Sequence, residues 1–285
     1  MLRGVREYFR AKSLDEAVRF LGEHGENTHL LAGGTDLLLV DRAYDTILDI
    51  SRLDLDYIRE ETDELAIGAT TSIETISRSP LVQSLADGIL CEACHLFGTY
   101  QIRNMATIGG NVANAMPAAD PPSALLALDA RAVALGPNGS RREMALAHFF
   151  TGPRTTILER DELLVEIRLP LRFRAWRGRW RKIGRVTRDI AIVNAGVSAR
   201  IEAGVIADAR VALCAVAPRP LRITEAENLL RGKAPSTALF AEAGEIVKRN
   251  VRPISDLRAG EAYRRHVSGV IVRRALAEIA GIEEA

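Results

Sequence analysis

Two pairs of adjacent glycines constrain this chain more than any other feature. The first pair lies in Leu31-Ala32-Gly33-Gly34-Thr35-Asp36-Leu37-Leu38, directly after His29-Leu30-Leu31, which reads as a short strand. The second lies in Thr107-Ile108-Gly109-Gly110-Asn111-Val112-Ala113-Asn114-Ala115, after a long helical pattern. With no Cβ in the way, the backbone at such a pair turns sharply and approaches a ligand or another segment closely. Amide groups of the first turn can converge on a pyrophosphate, helped by the dipole of the turn that follows. A tight turn without a ligand has the same sequence, so both readings stand. Small residues, a hydroxyl and two carboxamides crowd the second turn, which fits a loop against a flat or phosphorylated ligand. It fits a close-packed structural loop as well.

Neither pair belongs to a common nucleotide motif. The chain has no G-x-x-x-x-G-K-[ST] and no G-x-G-x-x-G, which argues against a phosphate-cradling NTPase loop and a Rossmann site. A nucleotide here must be held by another design.

The helix and strand signals place these turns in an alternating frame. Ser13-Leu14-Asp15-Glu16 is a capping box, predicting a helix from about Leu14 to Glu23 with Ala17, Val18, Phe20 and Leu21 inward. Leu37 to Val40 resumes an apolar run, and Thr46–Ile50 and Leu65–Ala69 read as strands, with a short helix over Ser72–Arg78. Pro80–Phe97 reads as one long helix stopping near Gly98, and Thr107–Asp120 as loop. Asp120 then caps a helix that opens at Pro121 and runs to about Leu128. Strands follow over Ala132–Leu135 and Leu163–Leu169, around an Asn138-Gly139 turn, and Pro170 is a plausible boundary. Beyond it, Arg177–Ile183, Ala191–Ile201 and Val205–Val216 read as strands with turns at Gly184 and Ala203-Gly204. A second capping box, Thr224-Glu225-Ala226-Glu227, precedes helices near 236–250 and 260–279. Strands followed by helices suggest an α+β tail, so two domains meeting near residue 170 are expected.

At 285 residues, 47% hydrophobic and 26% charged, the chain can bury a core in each of two domains. A net charge of +1 gives no overall field for nucleic acid or acidic membranes. Met1-Leu2-Arg3-Gly4-Val5-Arg6 lacks the apolar stretch of a signal peptide, and no apolar segment reaches spanning length, so a cytoplasmic protein is expected. Three cysteines are too few for a disulfide framework or a cluster of iron and sulfur. Cys91, Cys94 and His95 sit at helical spacing that can hold a metal, but with Leu90 and Phe97 nearby core packing is the better reading.

Two polar positions stand out. Asp120 reads as a helix N-cap, and its second oxygen remains available to ribityl hydroxyls or a ring N–H. Lysine occurs only as Lys12, Lys182, Lys233 and Lys248, so Lys182 is conspicuous on a strand whose one face holds Trp176, Gly178, Trp180 and Lys182 and whose other holds Arg177, Arg179 and Arg181. A lysine on the aromatic face needs an anionic partner or a route to water; cofactor contact and a snorkelling side chain both satisfy that. The alternating Arg and Trp superficially suit a nucleic-acid platform, but a strand at a subunit interface accounts for them better.

Taken together these segments resemble the FAD-binding (medium) subunit of the molybdenum hydroxylases, the family of bacterial xanthine dehydrogenases and aerobic carbon monoxide dehydrogenase. The residues that carry the resemblance are Leu31 to Leu37, Gln101-Ile102-Arg103-Asn104, Thr107 to Asn111, Pro117-Ala118-Ala119-Asp120, Lys182 with Asp189-Ile190-Ala191, and the tail Leu257 to Arg265. The family fold is α+β: a two-part FAD-binding domain of the vanillyl-alcohol oxidase and UDP-N-acetylmuramate dehydrogenase type, then a smaller α+β domain. Here that implies residues 1–170, in parts of about 1–52 and 53–170, followed by 171–285.

The resemblance implies a site by position. Leu30, Leu31, Ala32, Gly33, Gly34, Thr35, Asp36 and Leu37 would wrap the pyrophosphate and adjoining sugar of FAD. Thr107, Gly109, Gly110 and Asn111 would continue the cradle, with Ile108 against the flavin. Asp120 would meet the ribityl or isoalloxazine region, Phe97 would lie near the isoalloxazine, and Leu164 and Lys182 would reach the cofactor from the second part of the chain. No catalytic acid or base for an organic substrate, and no metal ligand, is implied. Electrons would come from a small partner subunit with two [2Fe-2S] clusters and leave to an external acceptor. A large molybdopterin-binding subunit would hydroxylate the substrate, in a dimer of heterotrimers without nucleic acid or membrane insertion. The competing readings are a standalone FAD-dependent reductase and a cofactor-free assembly protein.

Overall fold

The computed structural model describes residues 4–39 and 44–283. Met1 to Arg3 of the expected leaderless start, and Val40 of the apolar run, lie outside them.

The N-terminal layer is a parallel sheet with a helix packed on it. Strands β1 (Glu7–Arg10), β2 (Thr28–Leu31) and β3 (Thr46–Asp49) pair in the order β1-β3-β2, which needs a crossover between β1 and β2. Helix α1 (Leu14–His24) makes it, capped by Ser13 Oγ accepting from the amide of Glu16 as the capping box predicts. Its buried residues are Ala17, Val18, Phe20 and Leu21, the face expected from their spacing, and Phe20 stacks on Phe9 of β1 with centroids 4.4 Å apart.

A second sheet carries the helices that shape the site. Strands β4 (Ile58–Glu60) and β5 (Glu64–Gly68) lead into helices α2 (Ile73–Ser77), α3 (Pro80–Gln83), α4 (Ile89–His95), α5 (Tyr100–Met105), α6 (Ile108–Ala113) and α7 (Pro121–Ala127). Then come β6 (Arg131–Leu135), β7 (Arg141–Ala145), helix α8 (Leu146–Phe149), the small hairpin β8 (Phe150–Gly152) and β9 (Thr155–Thr156), and β10 (Leu163–Pro170). The antiparallel order is β4-β5-β10-β6-β7.

The last sheet is a meander covered on one side by long helices. Strands β11 (Arg177–Ile183), β12 (Val193–Glu202), β13 (Val205–Cys214) and β14 (Leu221–Arg222) pair in sequence order, followed by α9 (Thr224–Leu230), α10 (Thr237–Asn250) and α11 (Glu261–Ala280). Strand β12 shows the two-residue period sharply. Val193, Ala195, Val197 and Ala199 enter the core shared with α10 and α11, while Asn194, Gly196 and Ser198 face α7. Gly196 is required there, because a Cβ would stand 2.5 Å from the carbonyl oxygen of Ser123.

Three local expectations need correction. Pro80–Phe97 is not one helix: Ala86, Asp87 and Gly88 all take positive φ, and the carbonyl of Ala86 lies where a Cβ on Gly178 of β11 would come within 2.5 Å. Docking of the strand thus favours a break that helix propensity alone does not show. The stretch Thr107–Asp120 is not all loop, since Thr107 caps α6 and Gly109 packs so closely on Ala69, just after β5, that tertiary contact outweighs the poor helix propensity of glycine. Thr224 does not cap α9; it is already helical, and the carboxylate of Glu227 is taken by the amide of Val211 and by Arg222. The arginine face of β11 also meets this chain: Arg179 pairs with Asp87, and Arg181 with Glu92 and Glu278 of α11.

Candidate cofactor site

The two glycine turns, far apart in sequence, touch in space. Gly33 lies against the end of α5, where a Cβ would stand 1.7 Å from the carbonyl oxygen of Met105, two residues before Thr107. Gly34 takes φ +70, the left-handed region that glycine enters without strain. Gly109 abuts Ala69 after β5, with 2.5 Å left between a Cβ there and that of Ala69. Gly110 is exposed, and a Cβ on it would meet only the hydroxyl of Thr107.

Their amides are used differently. In α6 the first four donors are spent inside the chain: Ile108 to the carbonyl of Thr71, Gly109 to that of Ala69, Gly110 to Thr107 Oγ1 and Asn111 to the carbonyl of Thr107. In the first turn, the amides of Ala32, Gly33, Gly34, Thr35, Asp36 and Leu37 donate to no acceptor among the described residues. Six consecutive half-buried amides in a turn containing a left-handed glycine form a concavity suited to an anion. The first turn therefore offers the amide donors, and the second offers an open glycine beside Asn111, whose Oδ1 is buried with no hydrogen-bond partner among the described residues. These are features that a large dinucleotide, anionic at one end and rich in donors at the other, satisfies.

Beyond the turns lies a buried polar network built from α7, β11 and β12. Pro122 at the second position of α7 removes one of the two amides that an N-cap side chain serves. Asp120 accordingly makes no side-chain cap, correcting that expectation: its Oδ2 accepts from Lys182 Nζ at 2.8 Å and its Oδ1 from Asn194 Nδ2 at 3.2 Å. Burial raises the Asp120 carboxyl to about 6, with Lys182 and Asn194 opposing that rise. Asn194 Oδ1 accepts from the hydroxyl of Ser123, and Trp180 Nε1 donates to the same hydroxyl oxygen.

Lys182 spends all three donors on protein, giving the others to the carbonyls of Leu96 and Asp189 at 2.9 and 3.2 Å. Of the readings left open for it, the anionic partner is realised by Asp120, and its side chain is only 3% exposed, so it does not snorkel. The carbonyls of Phe97 and Gly98, next along, accept from Arg103, whose Nε is 2.6 Å from Glu74. Two buried cations thus hold the turn that presents Phe97, which is half-buried.

Other expected site residues take less exposed places. Ile108 and Leu164 are buried in the main core, so Ile108 offers no side-chain surface to a flavin. Leu30 is exposed, and Leu31, Thr35, Asp36 and Leu37 are half-buried around the first turn. Cys91 and Cys94 are core residues, burial pushing the Cys91 thiol up to about 12, while His95 is exposed on the same helix. Sequence reading missed Asn194, Ser123, Arg103 and Arg154. The polar or small residues at 194, 196 and 198 between Val193, Ala195 and Val197 were the signal that this strand face meets something other than ordinary core.

Residues 3–172 match the family model described as the FAD binding domain in molybdopterin dehydrogenase, and 179–279 that of the CO dehydrogenase flavoprotein C-terminal domain. The chain belongs to the FAD-binding medium-subunit family of the molybdenum hydroxylases. Among relatives of this medium subunit, the carbon monoxide dehydrogenase medium chain of Hydrogenophaga pseudoflava is 36% identical, with 95% of each chain covered. The glyceraldehyde dehydrogenase medium chain of Sulfolobus acidocaldarius is 34% identical over 96% of this chain and 98% of its own. A solved structure of the Hydrogenophaga carbon monoxide dehydrogenase superposes with TM-score 0.94 and 37% identity, covering 99% of both chains. The medium subunit thus has the expected two-part FAD-binding domain followed by an α+β C-terminal domain, and it is a subunit of an FAD-dependent oxidoreductase.

Proposed function

We propose that this medium subunit relays electrons, taking them from [2Fe-2S] clusters of a small partner subunit and passing them to an external acceptor. A large molybdopterin-binding subunit would carry out hydroxylation, in a cytoplasmic dimer of heterotrimers. The observation that carries the reading is the meeting of two glycine turns, one with six amides and one with an Asn111 Oδ1, beside an open glycine, that have no partner among the described residues. Bound there, FAD supplies the redox chemistry, exchanging single electrons with clusters and one or two with an acceptor.

The chain's own residues bind and tune. The first turn, from Leu30 to Leu37, holds the pyrophosphate through its amides, with Thr107 to Asn111 and the Phe97 turn extending the cradle. Lys182 and Asp120 set the local field from below the surface; with its three donors engaged, Lys182 acts through charge and through the position of Asp120 and Leu96. Leu164 supports the site from the core. The domain boundary near residue 170 is part of the same proposal, falling between β10 and β11.

Purification of the chain with its neighbours tests this directly. The expected result is a yellow complex of three subunits whose flavin bleaches when the molybdenum-site substrate is added. Colourless protein that takes up no FAD on reconstitution would sink the reading. NAD(P)H oxidation by the isolated chain at comparable rates would favour the standalone reductase.

A further inference from the structure

The β8–β9 hairpin carries a residue that neither glycine turn contains but that joins them. Arg154 sits at its tip after Pro153, with φ +59. A left-handed residue following a proline is where a tight turn ordinarily places glycine, so an arginine is held there against its backbone preference. Its amide donates to the carbonyl of Ala115 at 3.0 Å, and Ala115 is itself left-handed, with φ +47, where α6 ends. One guanidinium nitrogen, Nη1, donates to Asp36 Oδ2 and to Asn114 Oδ1, both at 3.0 Å. Asp36 belongs to the turn whose amides have no acceptor among the described residues, and Asn114 follows α6.

We propose that Arg154 is a cofactor-positioning residue: it locks the first glycine turn to the end of the second and neutralises Asp36, so that an anion can occupy the first turn. Both side chains of the Arg154–Asp36 pair are nearly half exposed, so the contact does little for the folded chain by itself. A carboxylate at the end of a row of anion-binding amides is a different matter. Left unpaired, Asp36 repels a pyrophosphate held a few residues away.

This rests on the flavin reading above, and the experiment separates the two. FAD is titrated into the deflavinated complex carrying wild-type chain, Arg154→Gln, Arg154→Gly, or Arg154→Gln with Asp36→Asn, and thermal unfolding is followed with and without FAD. For both single variants the expected FAD dissociation constant rises by roughly tenfold or more, as for loss of a charge-assisted contact. Arg154→Gly keeps or raises the melting temperature without FAD, because glycine relieves the left-handed strain. Adding Asp36→Asn to Arg154→Gln recovers part of the affinity. Single variants that bind FAD like wild type overturn the proposal, as does a loss of FAD-free stability that parallels the loss of affinity. Failure of the wild-type chain to bind FAD removes the flavin reading and this proposal together.

Discussion

Lys182 Nζ and Asp120 Oδ2 lie 2.8 Å apart, with side chains 3% and 7% exposed, and they come from a strand and a helix start separated by more than sixty residues. Such a pair is costly to bury and costlier to break, because removing one member leaves the other charged and unsolvated.

Lys182→Met is therefore expected to destabilise the chain by about 3–5 kcal/mol, the range for breaking a buried ion pair. Lys182→Met with Asp120→Asn should recover much of that, since neither buried charge then remains. Denaturant unfolding of the three proteins gives the comparison; a double variant no more stable than Lys182→Met means that the pairing is not what holds this region.

Asp120 also imposes a pH dependence. Burial raises its carboxyl to about 6 from 3.8 unfolded, so between those values the folded chain holds a proton that the unfolded chain has lost. Its contribution to stability is full below about 4 and is lost as pH rises through about 6. The stability difference between wild type and Asp120→Asn should accordingly shrink from pH 4 to pH 6.5. A difference that stays flat across that window contradicts a raised carboxyl.

The two glycines of the second turn should part company on substitution. Gly109→Ala drives a methyl into Ala69 and is expected to cost about 1–3 kcal/mol of stability, as overpacking does. Gly110→Val meets only the Thr107 hydroxyl, so folding should survive while FAD affinity is lost. Parallel melting curves and flavin titrations distinguish the outcomes; full flavin occupancy in Gly110→Val makes that glycine merely structural.

Arg103→Met removes the link from Glu74 to the Phe97 and Gly98 carbonyls. Glu74 keeps Arg78, so a cost near 3 kcal/mol, the low end for a broken buried pair, is expected. The visible spectrum or potential of bound flavin should shift as the Phe97 turn relaxes. An unchanged flavin in a destabilised variant limits Arg103 to a structural role.

Periodic signals were read correctly because they are local. The inward face of α1, the three long strands of the C-terminal sheet and the inward Trp180 on β11 follow from spacing, which fixes direction within one element. The failures lie where a distant segment decides. The break at Ala86 to Gly88 is favoured by β11, and α6 stands on Ala69 and Thr71 after β5. Asp120 has the sequence of an N-cap, but Pro122 takes away one of the two amides it would serve, and Lys182 and Asn194 take its carboxylate.

By itself, the sequence determined the strongly periodic elements, the two glycine turns and the family they resemble, since each depends on residues adjacent in the chain. Only the tertiary structure decided how the turns divide their work. The first glycine turn keeps its amides free and the second spends them, because Thr71, Ala69 and Thr107 supply acceptors to one and nothing among the described residues supplies them to the other. Hydrogen-bond partners from distant segments are set by packing, and packing is what a linear pattern leaves unspecified.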